Sequence, residues 1–388
     1  MADKNKEKRD SGTVLHTKID ELVQKTREAK SVSIKDLSKA IGLPEAKTEK
    51  IALLLQKKGV LELHYSAIGA IQPKVSFAKG AEEKYIGAPQ GKKVSSYEFE
   101  ADFVPARVEL VLGAGEQRPG YIISTPTLGA YTEIFLEELK DSICAKVPVD
   151  VVDILDEAKS RALKEKFFSV SKEELAAYVE EPESSLNTIA GLLLHSIYGL
   201  GEIELLMNDN KLEEIAVNSS KTHVAVYHRE FGWLKTNIVV PSEEQIHNFS
   251  SQIGRRVGRE ITNLNPVLDA HLPSGDRVNA TLSPISSSGN TITIRRFSRR
   301  PWTVIDFISG SHTMNLEMAS LLWLGIQYEM NIIIAGGTAS GKTATLNALL
   351  AFVPDYHRII SIEDVREINL PEHMKWNWIP LITRNQNP

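Results

Sequence analysis

The sequence predicts a multidomain α/β chain. In order, it holds an N-terminal unit of winged-helix type, a small α/β domain, a strand-dominated mixed α/β domain, and the first part of a domain built on a glycine-rich loop. Three observations predict it. The 388 residues, 42% of them hydrophobic, suffice for about two to four separate cores. Helical periodicity rules up to residue 58, whereas strand-like runs rule from 215 to 296. Finally, the apolar run Asn331-Ile332-Ile333-Ile334-Ala335 leads into Gly336-Gly337-Thr338-Ala339-Ser340-Gly341-Lys342-Thr343, which fits G-x-x-x-x-G-K-[ST].

Residues 1–12 are almost wholly polar and carry both signs of charge, as expected of a disordered tail. Over 14–27, Leu15, Ile19, Leu22 and Val23 recur at helical spacing, and Ile34, Leu37 and Ala40 repeat the pattern over 33–40. Gly42-Leu43-Pro44 breaks the chain. A third helix is expected over 45–58, with Ile51, Leu54 and Leu55 inward and Gly59 at its end; a strand opens at Val60. Three helices followed by strands make 13–90 a winged-helix-like domain. Its third helix carries Lys47, Lys50, Lys57 and Lys58, which could meet phosphates, but Glu45 and Glu49 share the helix. Docking onto a protein is the preferred reading, and no nucleic acid is expected.

After a loop near 87–91, residues 94–123 alternate strand-like runs such as Arg107-Val108-Glu109-Leu110-Val111-Leu112 with turns over 113–120. Helices are expected over 132–142 and 150–167, the latter rich in charges at i,i+4 spacing. Together they make a small α/β domain over 91–184, in which no chemistry is evident. Residues 185–208 read as a helix and turn carrying Ile189, Leu192, Leu193, Ile197, Gly199 and Gly201. Strands follow: Ile215-Ala216-Val217-Asn218, a hairpin over 223–238 turning near Phe231-Gly232, and another turning at Ser288-Gly289-Asn290. A helix over 243–257 interrupts them.

The glycine-rich loop carries the chemistry. A buried strand over 331–335 delivers the chain to a turn whose backbone N–H groups surround a polyphosphate, because glycine offers no Cβ to block the approach. Lys342 adds a point charge, and the helix over 342–352, halted by Pro354, aims its positive dipole end at the same phosphates. The expected nucleotide contacts are Gly336, Gly337, Thr338, Ala339, Ser340, Gly341, Lys342, Thr343 and Ala344, with Thr343 placed to ligate Mg2+. Arg358-Ile359-Ile360-Ser361-Ile362 reads as a second buried strand ending in Glu363-Asp364. In a right-handed strand–helix–strand unit both strands run parallel, so loop and carboxylates share the carboxyl edge of one sheet. Glu363 would orient or deprotonate the water attacking the γ-phosphate, while Asp364 or Glu367 would reach the metal through its water shell. The alternative is that these acids cap the next segment or face solvent.

Gly336 to Ala348, followed by Ile362-Glu363-Asp364-Val365-Arg366-Glu367-Ile368-Asn369-Leu370-Pro371, resembles the type II/type IV secretion ATPase superfamily, its archaeal branch above all. Upstream, Leu272-Pro273-Ser274-Gly275-Asp276-Arg277-Val278-Asn279-Ala280-Thr281, Ile294-Arg295-Arg296-Phe297 and Trp302-Thr303-Val304-Ile305-Asp306-Phe307 are similar to that family's N-terminal ATPase domain and its link to the motor domain. The likeness spans about residues 185–384. Ala344 stands where the family often has a second Thr. The resemblance implies a PAS-like domain over 185–300, a RecA-like P-loop domain opening at 301, and Mg2+-ATP as the bound species. It also implies that a basic residue of the first domain closes on the nucleotide. Arg295 and Arg296 are the candidates, although strand alternation lets at most one reach it. Arg277 is expected in a structural ion pair, and Arg299 and Arg300 in solvent or at a subunit interface.

Such proteins power pilus, archaellum or secretion machines as hexamers. The resemblance therefore implies a homo-oligomer working on a polytopic membrane platform protein, cytoplasmic and peripheral to the membrane through that partner. Because the sequence stops at Pro388, the RecA-like domain is expected to be incomplete, without the family's Walker B glutamate and His box, and the fragment itself inactive in hydrolysis. A winged-helix, DNA-linked regulator that uses ATP as a switch, and a motor for nucleic-acid transfer, are the alternatives.

Composition bounds the rest. A formal net charge of −5 gives no global attraction to nucleic acid or anionic lipid. The single cysteine, Cys144, excludes an intrachain disulfide and, with a charged amino terminus lacking an apolar leader, points to a reducing cytosol. No apolar run approaches the ~20 residues needed to span a bilayer. The ten histidines show no H-x-x-x-H or H-E-x-x-H grouping, so no zinc site is expected. Trp376 and Trp378 are expected to pack, leaving apolar surface exposed if their core partners are missing.

Overall fold

Polar side chains set the helix starts at the N-terminal end of the chain. In the computed structural model, which describes residues 14–65, 73–78, 91–147, 157–179, 182–272, 274–296, 302–337, 340–364 and 366–383, a short strand β1 (Val14–Leu15) precedes α1 (Lys18–Ala29). Thr17 closes a capping box with Asp20 there, satisfying N–H groups that the first helical turn leaves without acceptors. After β2 (Ser31–Ser33), Ser33 caps α2 (Ile34–Ile41), and Gly42, in the left-handed region at φ 64°, ends it. Then come α3 (Glu45–Lys57), β3 (Leu61–His64) and β4 (Lys74–Phe77). The three strands pair antiparallel in the order β2-β4-β3. The expected tail over 1–12, the loop at 87–90 and the start of the helix expected at 150 lie outside the described residues.

β5 (Lys92–Ala101) and β6 (Val104–Leu112) form a hairpin on a two-residue turn, Asp102-Phe103, with φ of 50° and 69°. Positive φ at both positions matches the strand twist, yet neither residue is glycine, so the turn is strained. Helices hold it. β7 (Gly120–Ser124), β8 (Thr127–Leu128), α4 (Ala130–Lys146), α5 (Glu157–Leu175), α6 (Glu183–Ile197) and α7 (Glu202–Asn208) follow. From α5, Lys164 Nζ donates to the Asp102 carboxylate at 2.8 Å; from α6, His195 Nε2 does so at 2.9 Å and Thr188 Oγ1 donates to the Phe103 carbonyl at 3.2 Å. The Phe103 ring stacks on Phe168 at 4.7 Å. Backbone and helix approach so closely that a Cβ on Gly191 would lie 2.3 Å from the Asp102 carbonyl oxygen.

The remaining strands are β9 (Leu212–Val217), β10 (His223–His228), β11 (Gly232–Val239), β12 (Val267–His271), β13 (Arg277–Thr281) and β14 (Thr291–Arg295), with α8 (Glu243–Arg256) between β11 and β12. They join β5 to β7 in one nine-stranded sheet of order β12-β13-β14-β9-β10-β11-β7-β6-β5. The seam between the two halves is narrow. β11 and β7 run parallel with the single pair Thr236 and Tyr121, and the Asn237 side-chain amide extends the ladder, accepting from Ile123 N–H and donating to Ile123 C=O, both at 2.9 Å.

This sheet overrides the division expected at 91 and 185. The strands of 91–124 bury Val104, Val108, Leu110, Tyr121 and Ile123 in one core with Ile215, Val226, Ile253 and Ile292. The helices α4, α5 and α6 bury Phe135, Ile143, Phe167 and Ile189 in a second core with Leu22, Ile51 and Leu55 of the N-terminal segment. The segment read as a small separate α/β domain thus serves two cores. Local periodicity specifies an apolar face but not which neighbour covers it.

The chain divides into two compact units, one of Met1–Pro273 with Arg277–Arg295, the other of Ser274–Asp276 with Arg296–Pro388. The second unit holds α9 (Leu316–Gln327), α10 (Lys342–Leu350), β15 (Ile359–Glu363) and β16 (Trp378–Ile382), with a π-helical turn at Asp306–Gly310 and a 3-10 turn at Glu372–Asn377. β15 and β16 pair in parallel. The strand expected over 331–335 does not form: residues 331–336 join no ladder, and Ile333 is 91% exposed. An apolar run becomes a strand only beside a partner that takes its N–H and C=O groups, and β15 here takes β16 instead. Among the described residues, no single helix is long and apolar enough to cross a membrane.

Candidate functional site

The glycine-rich loop ends at the start of α10, where Gly341 takes φ 86° and so occupies the left-handed region that an L side chain rarely adopts. Gly336 is equally constrained, since a Cβ there would meet Ser340 Oγ at 2.5 Å. Thr338 and Ala339 lie outside the described residues. Lys342 folds back on the loop, its Nζ donating to the Gly337 carbonyl at 2.5 Å, and Ser340 Oγ donates to the same oxygen at 2.9 Å. Among the described residues the Thr343 hydroxyl makes no hydrogen bond. The first turn of α10 therefore presents N–H groups without intrahelical acceptors, an ammonium group and a free hydroxyl together. Such a cradle fits an anionic polyphosphate with a hard, oxygen-seeking cation beside it.

The acidic segment behaves differently from expectation. Glu363 Oε2 accepts from the backbone N–H groups of Glu367 at 2.7 Å and Ile368 at 2.8 Å, so its carboxylate caps its own downstream loop. Asp364 Oδ1 accepts from Thr383 Oγ1 at 2.6 Å. The Glu367 carboxylate is exposed and has no hydrogen bond or ion pair among the described residues. Against α10, the loop is held by Asn347, whose Nδ2 donates to the Glu367 carbonyl and whose Oδ1 accepts from Asn369 N–H, both at 2.9 Å. The sequence reading missed Asn347. Its signal was available: a polar residue four positions after Thr343, among Ala344, Leu346, Ala348 and Leu349.

Of the expected arginines, Arg295 ends β14 exposed, in register with Glu214 of β9 and Arg277 of β13. Arg296 belongs to the other compact unit. Arg277 forks onto Asp269, Nε to Oδ1 at 3.1 Å and Nη2 to Oδ2 at 2.8 Å, which lowers the pKa of the Asp269 carboxyl and raises that of the guanidinium. Arg299 and Arg300 lie outside the described residues. Trp378 is half-buried, with Nε1 donating to Ser361 Oγ at 3.1 Å, whereas Trp376 is 71% exposed.

A cleft of about 890 Å3 beside α8 is lined by Glu243, His247, Arg255 and Arg259 with loop backbone. It carries mixed charge, and Glu243 is committed to the N–H groups of Ser220 at 2.7 Å and Asn290 at 2.5 Å. Among the described residues no three His, Cys, Asp or Glu side chains gather to hold a metal.

Residues 198–378 match the family model described as type II/IV secretion system protein. An uncharacterized protein of Methanocaldococcus jannaschii, MJ0900, is 39% identical over 198 residues, which cover 51% of this chain and 35% of that protein. The type IV secretion system protein PtlH of Bordetella pertussis is 30% identical over 164 residues, covering 37% of this chain and 48% of its own length. Among solved structures, the VirB11 ATPase of the Brucella suis type IV secretion system, in complex with sulphate, is 26% identical over 47% of this chain and 60% of that one. Its TM-score of 0.27 carries no argument about the fold. The chain spans about a third of the length of MJ0900 and of a second archaeal relative, MJ0781. Residues 198–378 are thus similar to type II/IV secretion system proteins, and relatives carrying that description match the chain over about a third to a half of its length.

Proposed function

We propose that this chain is the nucleotide-holding part of a secretion-type motor subunit that binds and hydrolyses Mg2+-ATP to drive assembly of a pilus, an archaellum or a secreted substrate. The observation that carries the reading is the first turn of α10, where Gly341 in the left-handed region, Lys342 and a Thr343 hydroxyl without a hydrogen bond among the described residues come together. Lys342, once drawn off the Gly337 carbonyl, neutralises phosphate charge, and Thr343 offers its oxygen to the cation. Magnesium would be held by the Thr343 hydroxyl, with a carboxylate of the acidic segment reaching it through water, and would supply positive charge to offset that developing on the phosphate. Water oxygen attacks the γ-phosphorus, the bond to the β,γ-bridging oxygen breaks, and a carboxylate of the 363–367 segment accepts the water proton. Arg295 or Arg296 would close on the γ-phosphate.

In this reading the subunit works as a ring, six by analogy with the family, against a membrane-embedded platform protein at the cytoplasmic face. The N-terminal unit, of winged-helix type, serves as a protein-docking element. Two of the four lysines on α3 and at its C-terminal end are committed within the chain: Lys47 Nζ lies 5.6 Å from the Tyr178 ring centre, and Lys58 pairs with Glu138 at 3.3 Å. Titration with a fluorescent ATP analogue tests the proposal. Lys342→Ala should weaken binding roughly ten- to a hundredfold, the effect of deleting a charge-assisted hydrogen bond. Equal affinity in the variant would remove the loop from the mechanism.

A further inference from the structure

We infer that Asn347 is a positioning residue, which locks the acidic segment 363–369 onto the phosphate-loop helix and leaves Glu367 as the carboxylate free to reach a phosphate-bound cation. The inference rests on the nucleotide reading above and deepens it.

Asn347 stands four residues after Thr343, so both lie on one face of α10, a single turn apart. An acidic loop tied to Asn347 is therefore tied to the Thr343 side of the helix. The tie uses both ends of the amide: Nδ2 to the Glu367 carbonyl and Oδ1 from Asn369 N–H, each at 2.9 Å. An amide carries a donor and an acceptor on separate atoms of one short side chain, so it can grip two points of a backbone in opposite directions. A second grip comes from Glu363, which takes the N–H groups of Glu367 and Ile368 on one oxygen. Between them, the two side chains fix the backbone on either side of Glu367.

The same bonds sort the three acids of the segment. Glu363 Oε2 is committed to backbone donors and Asp364 Oδ1 to Thr383, so each of these carboxylates is fixed in orientation with one oxygen left open, whereas both oxygens of Glu367 are open. Glu367 gives nothing up. Its backbone is held at the helix by Asn347, while its carboxylate remains exposed and uncommitted among the described residues. The arrangement assigns Glu363 to holding the loop and, of the two acids the sequence placed on the cation side, favours Glu367 over Asp364.

Two measurements on the full chain test it: amide exchange resolved at Ile368 and Asn369, and ATP-analogue affinity with Mg2+ and with EDTA. In Asn347→Ala, exchange at Asn369 should quicken about tenfold, as for one lost hydrogen bond. The gain in affinity that Mg2+ confers should fall by a similar factor, while affinity in EDTA stays within about twofold. Asn347→Asp keeps the acceptor and loses the donor, so protection at Asn369 should survive. Glu367→Gln should lose the Mg2+ gain without changing exchange at Asn369. Unchanged exchange in Asn347→Ala, or an intact Mg2+ gain in Glu367→Gln, would overturn the inference while leaving the loop's role standing. A wild-type chain that binds no ATP analogue would instead overturn the nucleotide reading, and the assignment of Glu367 with it.

Discussion

The nine-stranded sheet and the β15–β16 pair are built from similar residues and treat them in opposite ways. In β6, alternate residues of Val-Pro-Ala-Arg-Val-Glu-Leu-Val-Leu face a closed core, and Val108 and Leu110 are fully buried. In β15, Ile360 and Ile362 share one face and both are exposed, the latter at 71%. The first strand alternates apolar and polar, as a one-sided antiparallel sheet requires; the second sets Ile360 and Ile362 on one face and Ile359, Ser361 and Glu363 on the other, with the apolar pair outward. The chemistry of the second unit nevertheless depends on short-range bonds: a turn, a helix start and one amide clamp. A site can thus be locally specified on a scaffold whose apolar face remains open, whereas the larger sheet has its cores but no comparable constellation.

The largest expected effect separates the two regions by truncation. Leu110→Ala should cost about 2–5 kcal/mol in denaturant unfolding, the range for a large-to-small change in a packed core. Ile362→Ala should stay within ~0.5 kcal/mol, because an exposed side chain leaves no cavity. Equal losses would mean that the β15 face is covered in solution. A hydrophobic dye reports the same difference: binding should fall in an Ile360→Ser, Ile362→Ser double variant and stay unchanged in Leu110→Ala under folding conditions.

A second expectation concerns the clamp on the Asp102-Phe103 turn. Burial alone would raise the Asp102 pKa, but the bonds from His195 and Lys164 outweigh it and bring the carboxyl down to about 2. A folded value below the unfolded 3.8 means stability that is complete above pH 4 and lost as pH falls toward 2. The expected loss is about 2 kcal/mol at 1.36 kcal/mol per pKa unit. Asp102→Asn keeps a side chain that tolerates positive φ while removing the charge, so the wild type's advantage over it should shrink across that window. A constant gap from pH 6 to 2 would show that the carboxylate's charge does not hold the turn.

What was legible in the sequence follows the range of the interactions. Gly341, Lys342 and Thr343 were readable because loop, charge and helix start are consecutive, and the hairpin at Gly232 because a three-residue loop, 229–231, joins two strands adjacent in sequence. The fate of 91–184 was not, since Phe135 finds its core across the chain and Tyr121 finds Asp209, whose carboxylate accepts its hydroxyl at 2.7 Å. Residues 331–335 misled for the same reason: an apolar run declares a preference, and a partner strand decides. Asn347 was visible only as an odd polar residue. Its partners, Glu367 and Asn369, are fixed by tertiary folding rather than by spacing.

The smallest effect addresses whether the large sheet is one structure or two halves meeting at a seam. Thr236 and Tyr121 provide a single ladder pair between β11 and β7, and Asn237 adds two bonds to Ile123 that a backbone would otherwise make. Asn237→Ala removes the amide and leaves the buried Ile123 backbone short of partners, so about 1–2 kcal/mol should be lost. The distribution of that loss is the informative part. If amide exchange quickens only around 121–124 and 236–239, the halves are held together mainly by their shared core and the seam is a local fastening. If exchange quickens across β5, β6 and β7 together while β9 to β14 stay protected, the three N-terminal strands open as a unit. The expected outcome is the local one, because Val108, Leu110 and Ile123 share the core of Ile215 and Val226 whether or not the ladder is continuous.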